Sequence, residues 1–316
     1  MDVSVVIPCF RSRDTITPLV DRLAKVLTGR PETFEIILVV DGSPDDTAAV
    51  AVALAKTHPF VRVLLLRRNY GQHNALLAGI RAAAGHIVVT MDDDLQHPPE
   101  EVPTLLDVLL DPAIDLVYGV PAVEEHGVLR SLGSRAVKSA LAAAGAPNAR
   151  DVSAFRAFRT VLREAFATVQ DASANLDVML SWATASVVSA RVQMDRRTQG
   201  ESAYPFRRLL RHAFNMITGY SDGPLRLVSY LGLSCAVLGV VLLTIVVIGF
   251  ITGSTTVAGF TTIASMIALF SGAQMLSIGI LGEYLGRLHF RSLGRPTYVI
   301  AREVSGGDPT DPPAAA

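Results

Sequence analysis

From residue 1 to about 120, short apolar runs rich in branched side chains alternate with stretches whose apolar positions recur at helical spacing. Val3–Ile7, Glu35–Val40, Val61–Leu66, His86–Met91 and Asp115–Tyr118 read as strands. Asp14–Leu27, Asp45–Lys56, Asn74–Ala83 and Pro99–Leu110 read as helices. Strands and helices in alternation predict an α/β domain: a mostly parallel sheet with helices on both faces. Such sheets bind ligands beyond the carboxyl ends of their strands. The polar clusters fall there. Pro8-Cys9-Phe10 follows the first strand, Asp41-Gly42-Ser43-Pro44 the second, Arg67-Arg68-Asn69-Tyr70-Gly71 the third and Asp92-Asp93-Asp94 the fourth.

The pattern changes further along. Leu227 to Gly282 holds no Asp, Glu, Lys or Arg. A bilayer core takes about 20 helical residues to cross, so the stretch has room for two crossings. Helices are expected near Val228–Ile251 and Val257–Leu281, joined by a polar turn at Thr252-Gly253-Ser254-Thr255-Thr256. Arg207, Arg208, Arg211 and Arg226 precede the first span, and Arg287, Arg291 and Arg295 follow the second. The positive-inside rule then places both ends in the cytoplasm. Met1–Phe10 reads as a strand with no basic leader, so no cleaved signal is expected. The expectation is a multi-pass protein of the plasma (inner) membrane. Its parts are a catalytic domain over 1–202, a juxtamembrane amphipathic helix over 203–226, a transmembrane hairpin over 227–282 and a cytoplasmic tail over 283–316. Within Tyr204–Ile217, Phe206, Leu210, Ala213, Phe214 and Ile217 line one side and Arg207, Arg208 and Arg211 the other. That pattern suits a helix lying in the membrane interface or one packed on a core. Gly306–Ala316 reads as a disordered tail.

Composition narrows the class. The 316 residues are 50% hydrophobic and 18% charged, an apolar balance for a globular chain, with mean hydropathy +0.39. The net charge of −1 offers no global excess for nucleic acid. The two cysteines, Cys9 and Cys235, build neither a disulfide scaffold nor a four-cysteine zinc site. No GxGxxG or Walker A pattern occurs, which argues against dinucleotide oxidoreductases and P-loop NTPases.

Asp92, Asp93 and Asp94 carry the strongest chemical signal. Three carboxylates ending an apolar strand repel one another unless a cation sits among them, and oxygen donors of this kind suit Mg²⁺ or Mn²⁺. Strand alternation would send Asp92 and Asp94 to one side and Asp93 to the other. The plain alternative is a solvated loop of capping aspartates before Pro98-Pro99-Glu100. Asp41 also has two readings. It can close an Asx-turn with Gly42 and Ser43, beside Asp45 or Asp46 as a helix cap. It can instead accept hydrogen bonds from a nucleotide base or ribose.

Taken together, Val5-Val6-Ile7-Pro8, Val40-Asp41-Gly42-Ser43, Arg68-Asn69-Tyr70-Gly71-Gln72-His73 and Met91-Asp92-Asp93-Asp94-Leu95-Gln96 resemble family 2 glycosyltransferases with a GT-A fold. Gly200-Glu201-Ser202, Pro224-Leu225-Arg226, Leu281-Gly282-Glu283-Tyr284-Leu285-Gly286-Arg287 and Arg295-Pro296 are similar to the polyprenyl-phosphate glycosyltransferase subgroup. That subgroup spans dolichol-phosphate mannose synthases, bactoprenol glucosyltransferases and undecaprenyl-phosphate aminoarabinose-type transferases. The resemblance runs to about residue 300 and is nearest the last type. It implies a nucleotide-sugar site at Pro8, Asp41, Asn69, Asp92 and Arg197, with Mg²⁺ or Mn²⁺ on Asp92, Asp94 and Gln96. It also implies catalytic duties for Asp94, Asp151 and Arg197, with Arg196 as a competing register for the arginine that meets the diphosphate. Asp93 stands where the family has a small residue and receives no role. Where the family often reads Gly-Asp-Phe-Arg, this chain has Ser153-Ala154-Phe155-Arg156, so one acid is missing and Asp151 upstream still matches.

The implied reaction moves a sugar, with inversion, from a nucleotide donor, expected to be UDP-linked, to polyprenyl phosphate. A lipid monophosphate is already anionic and needs no strong base, unlike a sugar hydroxyl. Arg130 and Ser134, four apart on Val128–Ala142, share a helix face. The resemblance places them at the lipid phosphate. Two other readings stay open: a transferase acting on a lipid or glycan hydroxyl, with Asp151 as base, and an inactive membrane scaffold of the same fold. Trp182 is expected in packing rather than as a sugar platform, and Gln274 in an interhelical hydrogen bond. Gly232, Gly239 and Gly249 leave room for self-association into a homo-oligomer.

Overall fold

The computed structural model describes residues 1–122, 152–167, 169, 175–195, 223–253, 259–294 and 296–306. Arg130, Ser134, Asp151, Arg196, Arg197 and the stretches Val128–Ala142 and Tyr204–Ile217 therefore lie outside the described residues. The described part opens as a βα alternation. It runs β1 (Val3–Cys9), α1 (Ile16–Thr28), β2 (Phe34–Val40), α2 (Thr47–Thr57), β3 (Val61–Leu66), α3 (Gln72–Ala82), β4 (Ile87–Thr90) and α4 (Val102–Val108). β5 (Leu116–Pro121), β6 (Arg156–Arg159), α5 (Leu176–Ala183) and β7 (Val187–Val192) follow. Two long helices, α6 (Gly223–Ile251) and α7 (Phe260–Ser292), precede β8 (Ile300–Ser305).

All eight strands form one sheet in the order β7-β5-β6-β4-β1-β2-β3-β8. β1 pairs parallel with β2 and β4, and β2 pairs parallel with β3. The strands are near-continuous apolar runs because both faces are covered. Val5 and Ile7 of β1, with Ile36 and Leu38 of β2, face the core under α1 and α2. Val6, Ile37 and Val39 face the opposite core under α3 and α5. On α1, Ile16, Leu19, Val20, Leu23 and Leu27 are buried at helical spacing.

The chain reverses direction across the sheet at β1. β2 and β3 lie on one side of it and β4 on the other. The loops leaving the carboxyl ends of β1 and β4 therefore diverge and open a crevice, which is where an open α/β sheet binds its ligand.

Three strands depart from the sequence reading. β6 is antiparallel to both β4 and β5, and its four residues, Arg-Ala-Phe-Arg, are too short and too charged to show as an apolar run. β7 is an edge strand with several exposed positions. β8 falls in the segment expected as a tail over 283–316, yet it pairs antiparallel with β3 and closes that edge of the sheet. Residues 283–292 of that expected tail also continue α7.

α6 has 29 residues and α7 has 33, and the two pack along each other. Gly239 faces Phe270, whose ring lies 3.6 Å from where a Cβ would stand. Large apolar side chains such as Leu233, Val240, Ile248, Ile267 and Ile278 are exposed along the pair. Counted over the described residues alone, no helix is long and apolar enough to cross a membrane. Several side chains along both helices lie outside that description.

Candidate active site

A cleft of about 260 Å³ opens at the carboxyl ends of β1, β2 and β4. Pro8, Asp41, Asn69, Asp92 and Asp94 all line it, beside Cys9, Phe10, Gly71, Gln72 and Asp93. The fold thus brings five of the sequence-predicted residues to one place, from the end of β1 and the loops after β2, β3 and β4. Gln96 is not among the lining residues. Its backbone N–H donates to Asp94 Oδ1 at 3.1 Å and its carbonyl accepts from the Asp195 N–H at 2.9 Å.

Asp41 is buried, and its side chain reaches across to another loop instead of closing an Asx-turn with Gly42 and Ser43. Its two carboxylate oxygens accept from the backbone N–H groups of Tyr70 at 2.7 Å and Gly71 at 2.8 Å. The carboxylate therefore clamps the β3–α3 loop that carries Asn69. Gly42 makes the clamp sterically feasible. It has φ +57°, and a Cβ there would lie 2.3 Å from the Arg68 carbonyl carbon. Asp46 stands at the N-cap of α2 without a side-chain cap bond, and Asp45 just before it accepts from Ser43 Oγ and Thr47 Oγ1 at 2.6 Å each and from the Thr47 N–H at 3.3 Å.

The three aspartates find separate partners. Asp92 Oδ1 accepts from Gln72 Nε2 at 2.6 Å, which ties it to the start of α3. Asp93 Oδ2 accepts from the Phe10 N–H at 3.3 Å and from the Ser12 hydroxyl, across the crevice root. Burial pushes the Asp93 carboxyl above its ordinary range, and neighbouring Asp94 adds to this against the pull of its hydrogen bonds. The segment is not a strand here, while Asp92 and Asp93 bond in different directions, to α3 and to the loop after β1. β4 ends at Thr90, so all three carboxylates sit on a loop and all three line the cleft. Leu95 (φ +61°) and Arg11 (φ +59°) are the non-glycine residues with left-handed backbone among the described residues. They flank the crevice on the β4 and β1 loops, and strained positions of this kind cluster at functional sites.

Beside β4 lies a polar network that sequence reasoning missed. Arg156 is buried and pairs with Asp177, and it also donates from Nε to Thr90 Oγ1 at 3.1 Å. Tyr118 donates to Asp177 at 3.2 Å, and its hydroxyl is pushed up by burial and by that carboxylate. Asn175 caps α5 by accepting from the Asp177 and Val178 N–H groups. The available signal was Arg156 flanked by the aromatic residues Phe155 and Phe158, since a buried charge requires a partner. His97 stacks on Phe155 at 5.3 Å, and its Nδ1 is buried with no hydrogen bond among the described residues. Burial pushes the His97 ring's pKa down. Trp182 is 61% exposed at the rim of a second cavity beside Tyr118 and Asp177, not packed in the core.

Among the described residues, no group of three or more His, Cys, Asp or Glu side chains forms a metal cage. Asp92 and Asp94 nonetheless fit a cation shared with a ligand, because Mg²⁺ is commonly held by one or two carboxylates plus substrate phosphates.

Residues 4–167 match Glycosyl transferase family 2, and the chain belongs to this family of glycosyltransferases, here with the GT-A fold. Over 97% of its length it is 32% identical to the undecaprenyl-phosphate 4-deoxy-4-formamido-L-arabinose transferase of Pseudomonas syringae pv. syringae, of which it covers 92%. It is 31% identical over 98% of its length to the enzyme of the same name from Yersinia pestis, covering 95% of that protein. Glucosyl-3-phosphoglycerate synthase from Mycobacterium tuberculosis, in complex with phosphoglyceric acid, shares the fold. It superposes with a TM-score of 0.51 at 21% identity, over 70% of this chain and 80% of that one. The same synthase with Mg²⁺ and UDP gives 0.50 at 22%, over 69% and 77%.

Proposed function

We propose that this glycosyltransferase moves a sugar from a nucleoside-diphosphate donor to polyprenyl phosphate at a membrane surface, with inversion at the anomeric carbon. One observation carries the reading. Pro8 at the end of β1 and Asp41, Asn69, Asp92 and Asp94 on the three loops after β2, β3 and β4 line a single cleft at the switch point of the sheet. The relatives that match nearly the whole chain are named for undecaprenyl-phosphate sugar transfer. A synthase of the same fold was crystallised with Mg²⁺ and UDP.

In this reading Asp92 and Asp94, with Gln96, would hold Mg²⁺ or Mn²⁺ at the donor side of the cleft. A cation there offsets the negative charge that the departing diphosphate gains. Pro8, Asp41 and Asn69 form the nucleoside side. The clamp from Asp41 to Tyr70 and Gly71 holds that wall in place before the donor arrives. Arg197 meets the diphosphate, Asp151 meets the sugar, and Arg130 and Ser134 receive the lipid phosphate. An oxygen of that phosphate attacks the anomeric carbon as the bond to the diphosphate breaks. The nucleoside diphosphate then leaves with the electron pair. The attacking phosphate already carries its charge, so no strong base is required.

Membrane attachment is the second part of the proposal. At 1.5 Å per residue, α6 and α7 are about 44 and 50 Å long, more than the roughly 30 Å hydrocarbon core. The hydroxyls of Ser234, Thr244 and Ser277 each donate to the carbonyl four residues back at 2.8 Å. They therefore need no water, as lipid surroundings demand.

The test uses the full chain in nanodiscs with undecaprenyl phosphate, Mn²⁺ or Mg²⁺, and a panel of UDP-, GDP- and TDP-sugars. Mass spectrometry should find a metal-dependent glycosyl-phosphoryl lipid with one donor class, and none with Asp94→Ala. Product on a hydroxyl acceptor alone would overturn the phosphate-acceptor reading.

A further inference from the structure

The middle aspartate of the triplet has the geometry of an anchor. β1 and β4 are hydrogen-bonded neighbours as far as the Val6–Thr90 pair. Beyond that pair their loops separate to form the cleft. Asp93 is the side chain that rejoins them. Its Oδ2 accepts from the Phe10 N–H and the Ser12 hydroxyl, residues more than 80 positions earlier in the chain. Ser12 is itself held, because its N–H donates to Thr47 Oγ1 at 2.9 Å. On the β1 side, the left-handed Arg11 lies between the two partners of Asp93, and its N–H donates to Ser43 Oγ at 2.8 Å. On the β4 side, the left-handed Leu95 follows one residue after Asp94, whose Oδ1 closes a turn on the Gln96 N–H. Two backbone conformations that branched or long side chains rarely adopt are thus held on either side of one carboxylate bridge.

We propose that Asp93 is a positioning residue: by bridging the β1 and β4 loops it fixes the spacing of Asp92 and Asp94, so that the pair is set to share a divalent cation with the diphosphate of a nucleotide. The inference rests on the donor-site reading above. It gives a task to the one member of the triplet that the family resemblance left without one. The bridge holds its neighbours through the backbone. Asp92 and Asp94 are its immediate sequence neighbours, so pinning the middle residue limits the freedom of both. A carboxylate outside the coordination shell that orients the metal ligands is worth about 10–100-fold in metal affinity where such residues have been removed.

Titration calorimetry of UDP into the full chain in nanodiscs, with Mn²⁺ or with EDTA, tests this. Wild type, Asp93→Ala, Asp93→Asn and Ser12→Ala are compared, and thermal unfolding is followed in parallel. In Mn²⁺, Asp93→Ala should bind UDP about tenfold more weakly than wild type, while the EDTA affinities stay close together. Asp93→Asn keeps an acceptor oxygen and should recover most of the loss. Ser12→Ala removes one donor but leaves the carboxylate, so it reports on the bridge even if Asp93→Ala fails to fold. Mn²⁺-dependent affinity equal to wild type in folded Asp93→Ala and Ser12→Ala would overturn the proposal. So would an equal loss with and without metal, which would mark a purely structural contact. A wild type with no Mn²⁺-dependent UDP binding would overturn the donor-site reading and this inference with it, whereas binding that is unchanged by the variants removes this inference alone.

Discussion

Gly42 shows how closely single residues are fitted around the cleft. Its φ of +57° and the 2.3 Å approach of the Arg68 backbone leave no room for a side chain. Gly42→Ala should lower stability by about 1–3 kcal/mol and weaken nucleotide binding, because it pushes the β2 loop off the loop that Asp41 clamps. Unchanged melting and binding would show that the two loops are not in register. Glu35 supplies a pH prediction. It is buried and accepts from Ser4 Oγ at 2.6 Å, the Ala84 N–H at 2.7 Å and Arg62 Nη1 at 2.8 Å. Burial raises its pKa, but the three hydrogen bonds outweigh burial and the net shift is downward. A carboxyl lowered in the folded state contributes stability above its unfolded value, about 4.3, and loses it as pH falls through the folded value. The melting temperature of wild type should therefore fall more steeply below about pH 4.3 than that of Glu35→Gln, which should be less stable by about 2 kcal/mol at pH 7. Parallel pH profiles would contradict this. Asp41, Asn69, Asp92 and Asp94 were legible because each is a polar residue at the end of an apolar run. The bridge from Asp93 to Phe10 and Ser12 was not, because those residues lie far back in the chain and no local pattern links them. The pairing of Arg156 with Asp177 was not legible either, because nothing near Arg156 in sequence points to a partner 21 residues on.

At the scale of elements, β1 to β5 and the helices between them follow from apolar periodicity, and their bounds shift by only a few residues. The antiparallel strands do not follow from it. β6 offers four residues, and β8 comes after two long helices at the far end of the chain. β8 nonetheless completes the edge of β3. Arg62 joins the two strands to β2, donating to Glu35 at 2.8 Å and to Glu303 at 2.7 Å. Just before β8, Thr297 is buried, the Val299 carbonyl accepts from the Arg67 N–H at 3.0 Å, and Tyr298 lies under the Arg81 guanidinium. The segment thus fastens next to the loop that carries Asn69. Deleting residues 297–316 should expose the β3 edge, lower the melting temperature by several degrees and promote aggregation. A truncated chain that melts like wild type would show that the strand is dispensable.

The whole molecule joins a GT-A domain to a helical pair proposed to sit in the membrane. In the sequence the pair is marked by its charge-free length, and the arginine flanks give the expected orientation. A cysteine placed at Gly253, between the helices, should react with an impermeant thiol reagent on intact cells, and one at Ser305 only after permeabilisation. The reverse pattern would invert the topology, and equal labelling would argue against a spanning pair. The arrangement of the site depends most on the claim that Asp92 and Asp94 face a donor diphosphate across the β1–β4 crevice. The most direct measurement is a structure of the full chain in complex with UDP and Mn²⁺, with the metal located by its anomalous signal. The account predicts a Mn²⁺ peak about 2.0–2.6 Å from carboxylate oxygens of Asp92 or Asp94, with the uridine against Asp41 and Asn69. A nucleotide bound elsewhere, such as the second cavity beside Trp182, or a metal peak away from both aspartates, would contradict it.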